Sequence, residues 1–248
     1  MIEYLFRKHL AGHEAAAVLD VGPGYGPWSR VAAAITGARR VTFLDVDPAV
    51  LAWQAAEAKR AGMEPSTVEV ALTAAGVAGA LAQVDASFDL VLCQEVLEHL
   101  VEAEAVLAAL AARLAPGGRL VITVPTAVSE RWLGLVNPSY MRGELHGHVR
   151  RFDRPALERL VGGAGLALRA LEPAQPHYFL AHTFMFGTRM PVAGATGVVG
   201  GGGAPPTPLR SFVAQRLGTW SRKLFMGTSP ELWSRLLPRN YFAVASRR

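Results

Sequence analysis

Short apolar runs alternate along the chain with longer Ala- and Leu-rich stretches whose apolar positions recur at helical spacing. This alternation is typical of a parallel sheet covered by helices on both faces. It predicts strands at 15–22, 40–46, 67–72, 88–94, 119–125, around 166–171 and at 240–246, and helices at 48–61, 96–114 and 156–161. We therefore expect an α/β fold.

Two long segments, 126–154 and 172–239, break the alternation. Long connections inside a compact domain tend to be functional lids. The second contains four consecutive glycines at 200–203 and two prolines directly after Ala204, which indicates a hinge or a disordered loop. We predict a core at 1–172, a lid or insertion at 173–239 and a last core strand at 240–248.

Composition favours one large globular domain. Of the 248 residues, 51% are hydrophobic and 18% charged, which excludes disorder as the dominant state. The only cysteine, Cys93, has no partner for an internal disulfide, and the first 20 residues carry charges where a signal peptide needs an apolar run. We therefore expect a reducing cytoplasm.

The positive charge is concentrated at one end. Residues 205–248 hold eight basic residues and one acidic residue, or +7, whereas residues 1–204 hold 17 basic and 19 acidic residues, or −2. A nucleic-acid binder more often spreads its basic residues over a face of the main domain. We expect no nucleic-acid partner.

A glycine-rich segment follows the first predicted strand and contains Asp20, Gly22, Gly24 and Gly26. Glycines let the backbone pass close to a ligand, and N–H groups at a helix start favour polar or anionic atoms. Asp45 ends the second predicted strand, where a carboxylate can accept hydrogen bonds from both hydroxyls of a ribose. The sequence therefore predicts a nucleoside site.

The glycine spacing separates two kinds of nucleoside. A nicotinamide dinucleotide site needs G-x-G-x-x-G, whereas this chain has G-x-G-x-G followed by Pro27 and Trp28. Asp20, two positions before the first glycine, suits a ligand with an amino group and repels a pyrophosphate. These residues favour a cationic nucleoside over a dinucleotide.

Three further motifs follow in order: FDLV at 88–91, EVLEH at 95–99 and LAPGGRL at 114–120. Together with the glycine segment and Asp45, they make residues 16–172 resemble the class I S-adenosylmethionine (SAM)-dependent methyltransferases. The resemblance implies a Rossmann-like three-layer sandwich whose seven-stranded sheet is mostly parallel with an antiparallel last strand. It also implies SAM as cofactor.

Carried over by position, the resemblance assigns the methionine end of SAM to Asp20, Gly22 and Gly24 and the ribose to Asp45. Pro23 and Val46, their neighbours in the chain, are assigned to the same cofactor site. Gln94 and Glu95 are expected near the methionine and the path of methyl transfer. The list of expected cofactor residues is Asp20, Gly22, Pro23, Gly24, Asp45, Val46, Gln94 and Glu95.

The chain departs from the family pattern in two places. Relatives often carry an acidic residue at the end of the third strand, where this chain offers VALT at 70–73. Its lead-in before the first strand is also short, whereas many relatives place a longer helical lid there. We therefore expect residues 126–154 and 172–239 to cover the substrate.

The resemblance implies methyl transfer to an O, N or C nucleophile of a small molecule, with a lipid-like acceptor and a natural product both open. The segment 146–152 resembles one that borders the substrate cleft of small-molecule methyltransferases, so His146 is the first candidate for a general base. Tyr140 and Glu144 are weaker candidates. His148 is expected to be structural, and a metal is not expected because no third and fourth ligands stand at a suitable spacing.

Two alternatives to the enzyme stay open: a SAM-fold binding protein without transfer activity, and, less favoured, a nicotinamide-dependent oxidoreductase. Apolar residues between Leu209 and Leu224 share one helical face, with basic residues elsewhere. Such a basic amphipathic helix can contact an anionic membrane surface. Packing of its apolar face on the core is the favoured interpretation.

Overall fold

The computed structural model describes residues 1–84, 87–136, 147–176, 216, 219–220, 223–224 and 227–248. They form one seven-stranded sheet in the order β3-β2-β1-β4-β5-β7-β6. Its strands are β1 (Ala17–Val21), β2 (Arg40–Asp45), β3 (Glu64–Glu69), β4 (Phe88–Gln94), β5 (Leu114–Pro125), β6 (Leu166–Ala174) and β7 (Asn240–Arg247).

Helices cover both faces of the sheet. They are α1 (Ile2–Leu10), α2 (Trp28–Thr36), α3 (Pro48–Arg60), α4 (Ala74–Gln83), α5 (Ala103–Ala112), α6 (Ala127–Val136), α7 (Arg154–Gly163) and α8 (Pro230–Leu236). Every residue of β1 is buried, because this strand lies inside the sheet and both of its faces are covered. Leu19 and Val21 join one apolar core and Val18 joins the other, as alternation along a strand requires.

The strand directions confirm the predicted fold. β1 pairs in parallel with β2 and β4, and β4 pairs in parallel with β5. β7 runs antiparallel to both β5 and β6 and lies between them. The carboxyl ends of β1, β2 and β4 therefore meet at one edge, where ligands bind in open α/β sheets.

The predicted third strand at 67–72 is wrong by three residues. β3 ends at Glu69, which pairs with Asp45 at the end of β2. Pairing with β2 sets the register, so Glu64 to Ser66 enter the sheet although they are less apolar than the residues that follow. An acidic residue therefore ends this strand after all.

The predicted helix at 96–114 is interrupted. A 3₁₀ turn spans Leu97–His99, and α5 begins only at Ala103. The carbonyl of Glu98 accepts hydrogen bonds from the backbone N–H groups of Val149 (2.9 Å) and Arg150 (3.1 Å). The segment after residue 147 thus takes an acceptor that a continuous α-helix would use itself.

Much of the predicted lid lies outside the described residues, including the glycines at 200–203 and most of the basic amphipathic helix. β6 continues to Ala174, two residues into the segment predicted as a lid. Near its other end, Glu231 of α8 lies 3.9 Å from Lys8 of α1. In the part of the chain that the structure describes, no helix is long and apolar enough to span a bilayer. The cytoplasmic location stays a prediction.

Candidate functional site

The glycine-rich loop leaves β1 with a backbone that needs glycine. Gly22 has φ +61° and donates its N–H to the carbonyl of Leu44 at 2.8 Å. A Cβ built on Gly22 would lie 2.6 Å from Cγ2 of Val96, so the loop packs closely on the segment that follows β4. Gly24 has φ +50° and, among the described residues, open space where its Cβ would be. The loop therefore combines one close contact with one open position.

Gln54 of α3 fixes the backbone of this loop, a role that was not predicted from the sequence. Its side-chain amide donates to the carbonyls of Gly24 (2.6 Å) and Gly26 (2.9 Å). Its carbonyl oxygen accepts from Arg30 at 2.8 Å, and the side chain is fully buried. The signal was present, because Gln54 stands on the same helical face as the buried Val50 and Ala58.

Two buried carboxylates flank the loop. Asp20 is 3% exposed and Asp45 is 6% exposed, and no ion pair reaches either of them within residues 1–84 or the other described ranges. Burial raises the pKa of Asp20 to about 7, and the charge of Asp45 acts in the same direction. Burial also raises the pKa of Asp45, against backbone hydrogen bonds that lower it. A ligand with hydroxyl groups and a positive charge would complete this site.

These residues fit the predicted cofactor. The Asp45 carboxylate accepts from the N–H of Asp47 at 3.0 Å, which holds it at the end of β2. Asp47 in turn accepts from the N–H of Ala49 and caps α3. Val46 lies between these two aspartates, and Pro23 lies between the two positive-φ glycines. The predicted roles of all these residues toward SAM stay predictions.

The end of β4 enters the same edge of the sheet. Gln94 is the last residue of the strand, and Glu95 adopts φ +55°, which is rare for a residue with a side chain. Both carboxylate oxygens of Glu95 accept from the amide of Asn240, at 2.7 and 2.6 Å. Because Val96 packs against Gly22, Glu95 stands beside the glycine-rich loop. Its expected place near the methyl-transfer path stays a prediction.

A second group of polar residues gathers just beyond Glu95. We call Glu98, His99, Glu130, His148 and Arg239 the β4-edge cluster. Glu98 is 1% exposed, and neither of its carboxylate oxygens has a hydrogen-bond partner among the described residues. Nδ1 of His148 lies 2.9 Å from a Glu130 oxygen, and the other Glu130 oxygen lies 3.7 Å from Arg239. The rings of His99 and His148 meet edge to face at 4.7 Å.

Arg150 anchors the segment that carries His148. Its guanidinium donates to the carbonyls of Leu100 (2.8 Å) and Val101 and to both oxygens of Glu104 (2.6 and 2.7 Å). Together with the backbone bonds to Glu98, these contacts fix residues 148–150 against the 3₁₀ turn. His148 therefore reaches the cluster from a distant part of the sequence.

Burial changes the titration of two members of the cluster. It lowers the pKa of His99 to about 4, assisted by His148, so this imidazole is neutral near pH 7. It raises the pKa of Glu98 well above its ordinary value, and the charge of Glu95 acts in the same direction. A buried carboxylate without hydrogen bonds is costly, so Glu98 calls for an explanation.

The three predicted base candidates, Tyr140, Glu144 and His146, lie outside the described residues, and their roles stay predictions. His148, which we expected to be structural, does hold the loop through Glu130. No metal was expected from the sequence, because no further ligands stand at a suitable spacing. The fold, however, brings Glu98 and His99 close to His148. One possible ligand atom from each lies within 4.8 Å of the others.

Comparison with known proteins agrees with this geometry. A family model described as a methyltransferase domain matches residues 2–171. A ubiquinone biosynthesis O-methyltransferase of Xanthomonas euvesicatoria pv. vesicatoria is 34% identical over 176 residues, which are 67% of this chain and 68% of that protein. A protein of the same name from Xanthomonas oryzae pv. oryzae is 35% identical over 60% of each chain.

A solved structure shares the fold. The N-methyltransferase NodS from Bradyrhizobium japonicum, in complex with S-adenosyl-L-homocysteine, superposes with a TM-score of 0.50. The two chains are 20% identical, and the match covers 68% of this chain and 76% of that one. At this identity the likeness concerns the fold alone.

Proposed function

The chain belongs to the class I SAM-dependent methyltransferases, and we propose that it methylates a hydroxyl oxygen of a small, largely apolar acceptor. Its family membership favours the enzyme over the two alternatives, the inactive SAM-fold protein and the nicotinamide oxidoreductase. SAM, the methyl donor of the family, supplies an electrophilic methyl carbon on a positively charged sulfur. What remains to be assigned is the acceptor and the atom that receives the methyl group.

The observation that carries the oxygen assignment is the identity of 34% to an O-methyltransferase over 176 residues, which are 67% of this chain. Apolar side chains support a largely apolar acceptor. Trp132 and Leu135 of α6 and Val149 are 42%, 78% and 58% exposed, and they flank Glu130 and His148 in the chain. An acceptor with an apolar body and a hydroxyl group would suit this combination.

In this proposal the chain works mainly by positioning. Asp45 binds the ribose hydroxyls, Asp20 faces the amino end of the donor, and Gln54 keeps the loop rigid through its bonds to Gly24 and Gly26. The acceptor oxygen forms a bond to the methyl carbon as the sulfur–carbon bond breaks. Alignment of three reacting centres contributes up to about 7–11 kcal/mol to such a step.

The hydroxyl proton passes to a base at or before the transfer. We propose His146 for this role, with Tyr140 and Glu144 as weaker candidates in the same segment. His146 stands two residues before His148, which the structure anchors in the β4-edge cluster. A general base contributes about 10²- to 10⁴-fold where the chemistry requires one.

The donor site is tested by calorimetry with S-adenosylhomocysteine on the wild type and Asp45→Ala. We expect the variant to bind about 10- to 100-fold more weakly, because it loses hydrogen bonds from two hydroxyls to a charged acceptor. Asp47→Asn is the control, since an asparagine can still cap α3 and the Asp47 N–H remains. Equal affinity of wild type and Asp45→Ala would show that the ribose lies elsewhere.

The acceptor class is tested with SAM carrying an isotopic label in its methyl group. Matched aromatic acceptors that differ only in a hydroxyl, an amino group or neither are offered to the wild type. We expect label in the hydroxyl compound as a methyl ether. Transfer to the amine alone would reject the oxygen assignment while leaving the donor site intact.

A further inference from the structure

The β4-edge cluster contains two buried carboxyl groups close to a third one outside it. Glu98 and Glu130 are buried at 1% and 2% exposure, Glu95 lies beside them, and Arg239 is the basic side chain that faces them in the part of the chain described. Arg239 lies 3.7 Å from Glu130, not in hydrogen-bond contact with Glu98. A group of buried carboxyl groups can bind a further positive charge.

Glu98 points to the nature of that charge. Neither of its oxygens has a hydrogen-bond partner among the described residues, although the side chain is almost completely buried. Buried carboxylates in native proteins are normally paired, hydrogen-bonded or bound to a metal. One ligand atom each from Glu98, His99 and His148 falls within 4.8 Å of the others, a spacing that one ion can bridge.

The surroundings of His148 resemble those of a metal ligand. Its Nδ1 is held by the buried carboxylate of Glu130 at 2.9 Å. Metal-binding histidines usually donate one ring N–H to a carboxylate or carbonyl, which orients the other nitrogen toward the ion. His99 shows the same arrangement more weakly, because its Nδ1 lies 3.4 Å from the carbonyl of Gly147.

We propose that Glu98, His99 and His148 bind a divalent transition-metal cation, with Glu130 positioning His148. Two imidazoles and one carboxylate suit Zn²⁺, Mn²⁺, Fe²⁺ or Co²⁺, whereas Mg²⁺ and Ca²⁺ prefer oxygen ligands throughout. Three protein ligands also leave coordination positions open, as in catalytic rather than structural sites.

The metal ion would bind the hydroxyl group of the acceptor, and this part of the inference rests on the proposed function. Val96 joins Glu95 to the turn that carries Glu98 and touches Gly22, so the ion would lie on the acceptor side of the donor loop. A divalent ion that binds a hydroxyl lowers its pKa and orients the oxygen. The proton released passes to solvent or a nearby base, and the oxygen then attacks the methyl carbon.

The metal site is tested without any turnover. The full-length chain is freed of metal by a chelator and titrated with Co²⁺, with visible absorption and elemental analysis as readouts. We expect one Co²⁺ per chain, absorption bands typical of a nitrogen- and oxygen-bound ion, displacement by Zn²⁺ and no displacement by equal Mg²⁺.

Glu98→Gln and His99→Gln provide the variants, and His9→Gln is the matched control. His9 also contacts a carboxylate, at 2.5 Å from Glu172, but it belongs to α1 and is not a member of the cluster. Glu98→Gln and His99→Gln should weaken Co²⁺ binding at least about tenfold, and His9→Gln should leave it unchanged. Equal losses in all three variants, or none in any, would overturn the site.

Thermal unfolding distinguishes a variant that has lost a metal ligand from a variant that has misfolded. Co²⁺ should raise the unfolding temperature of the wild type and of His9→Gln but not of Glu98→Gln. Without metal, Glu98→Gln should be at least as stable as the wild type, because glutamine removes a buried charge. If the wild type binds no Co²⁺ and Glu98→Gln unfolds at a higher temperature than the wild type, Glu98 is a buried neutral acid and the proposal is rejected.

Failure here differs from failure of the proposed function. Calorimetry with S-adenosylhomocysteine on the metal-free chain reports the donor site alone. If that chain binds the nucleoside and methylates a hydroxyl at full rate, the metal inference is wrong and the proposed function stands. If Co²⁺ binds at Glu98 but no hydroxyl accepts a methyl group, the metal site stands and the oxygen assignment is wrong.

Discussion

The glycine-rich loop and the β4-edge cluster lie at the same edge of the sheet but are built in different ways. The loop is contiguous from residue 20 to residue 26, and one more strand supplies Asp45. The cluster collects side chains from 98–99, 130, 148 and 239, which only the folded chain brings together. Both contain buried carboxylates, and we propose a nucleoside as the ligand of the loop and a metal ion as the ligand of the cluster. The loop is therefore a motif that is local in sequence, whereas the cluster forms only when the chain folds.

The largest effect should come from the loop. Gly22→Ala places a Cβ at 2.6 Å from Val96 on a backbone with φ +61°. Left-handed strain and overpacking together cost about 2–5 kcal/mol, so we expect S-adenosylhomocysteine affinity to fall by about 100-fold. Gly12→Ala is the control, because Gly12 has φ +72° and open space among the described residues. If both variants bind equally well, the contact with Val96 does not shape the donor site.

A variant in the cluster should have a smaller effect, and it should not change nucleoside binding at the loop. Glu130→Gln removes the charge that orients His148, so we expect the methyl-transfer rate to fall about 10- to 100-fold. Affinity for S-adenosylhomocysteine, measured by calorimetry, should stay within about twofold. Glu3→Gln is the control, since it weakens only an exposed pair with Arg7 on α1. A parallel loss of nucleoside affinity in Glu130→Gln would show that the two regions are not separate.

The smallest effect is a pH dependence that belongs to the loop. Burial raises the pKa of Asp20 to about 7 in the folded chain, and in the proposed function its ionised form attracts the amino group of the nucleoside. Affinity for S-adenosylhomocysteine should therefore rise about five- to tenfold between pH 5.5 and 7.5. Calorimetry across this range should give a flat profile for Asp20→Asn. A rise of equal size in Asp20→Asn would assign the titration to another group.

The same ionisation affects stability in the opposite direction. Because the folded-state pKa of Asp20 lies above the ordinary 3.8, the folded chain binds more protons between these values than the unfolded chain. For this group, the free energy of unfolding of the ligand-free chain falls as the pH rises from about 4 to 7. Asp20→Asn should reduce that slope in chemical unfolding experiments.

The sequence predicted the fold well and indicated a glycine-rich loop after β1, because both depend on local patterns; the role of that loop toward the donor stays a prediction. β2 and β4 begin where expected, and the antiparallel β7 confirms the alternation at 240–246. β3 was misplaced because its position is set by pairing with β2 rather than by its own residues. The helix at 96–114 was predicted as continuous because its periodicity does not reveal that residues 149–150 bind the Glu98 carbonyl.

The cluster could not be predicted, because its members are related only through the tertiary structure. Glu130 stood inside a segment interpreted as a lid, and Arg239 stood among the basic residues of the tail. Glu98 and His148 are 50 positions apart in the sequence, which is too far for a short sequence motif to relate them. Gln54 differs from these residues, since a buried amide on an apolar helical face could have been recognised in advance.

The position of β7 has a consequence for synthesis. Among the described strands β6 pairs with β7 alone, and Asn240 at the start of β7 donates to the carboxylate of Glu95. A ribosome that has translated residues 1–239 has made six strands, but the sixth has nothing to pair with and Glu95 lacks its amide. Completion of the catalytic edge must therefore await emergence of the final strand from the exit tunnel. Translation that stops earlier leaves an unpaired edge for chaperones and proteases to recognise.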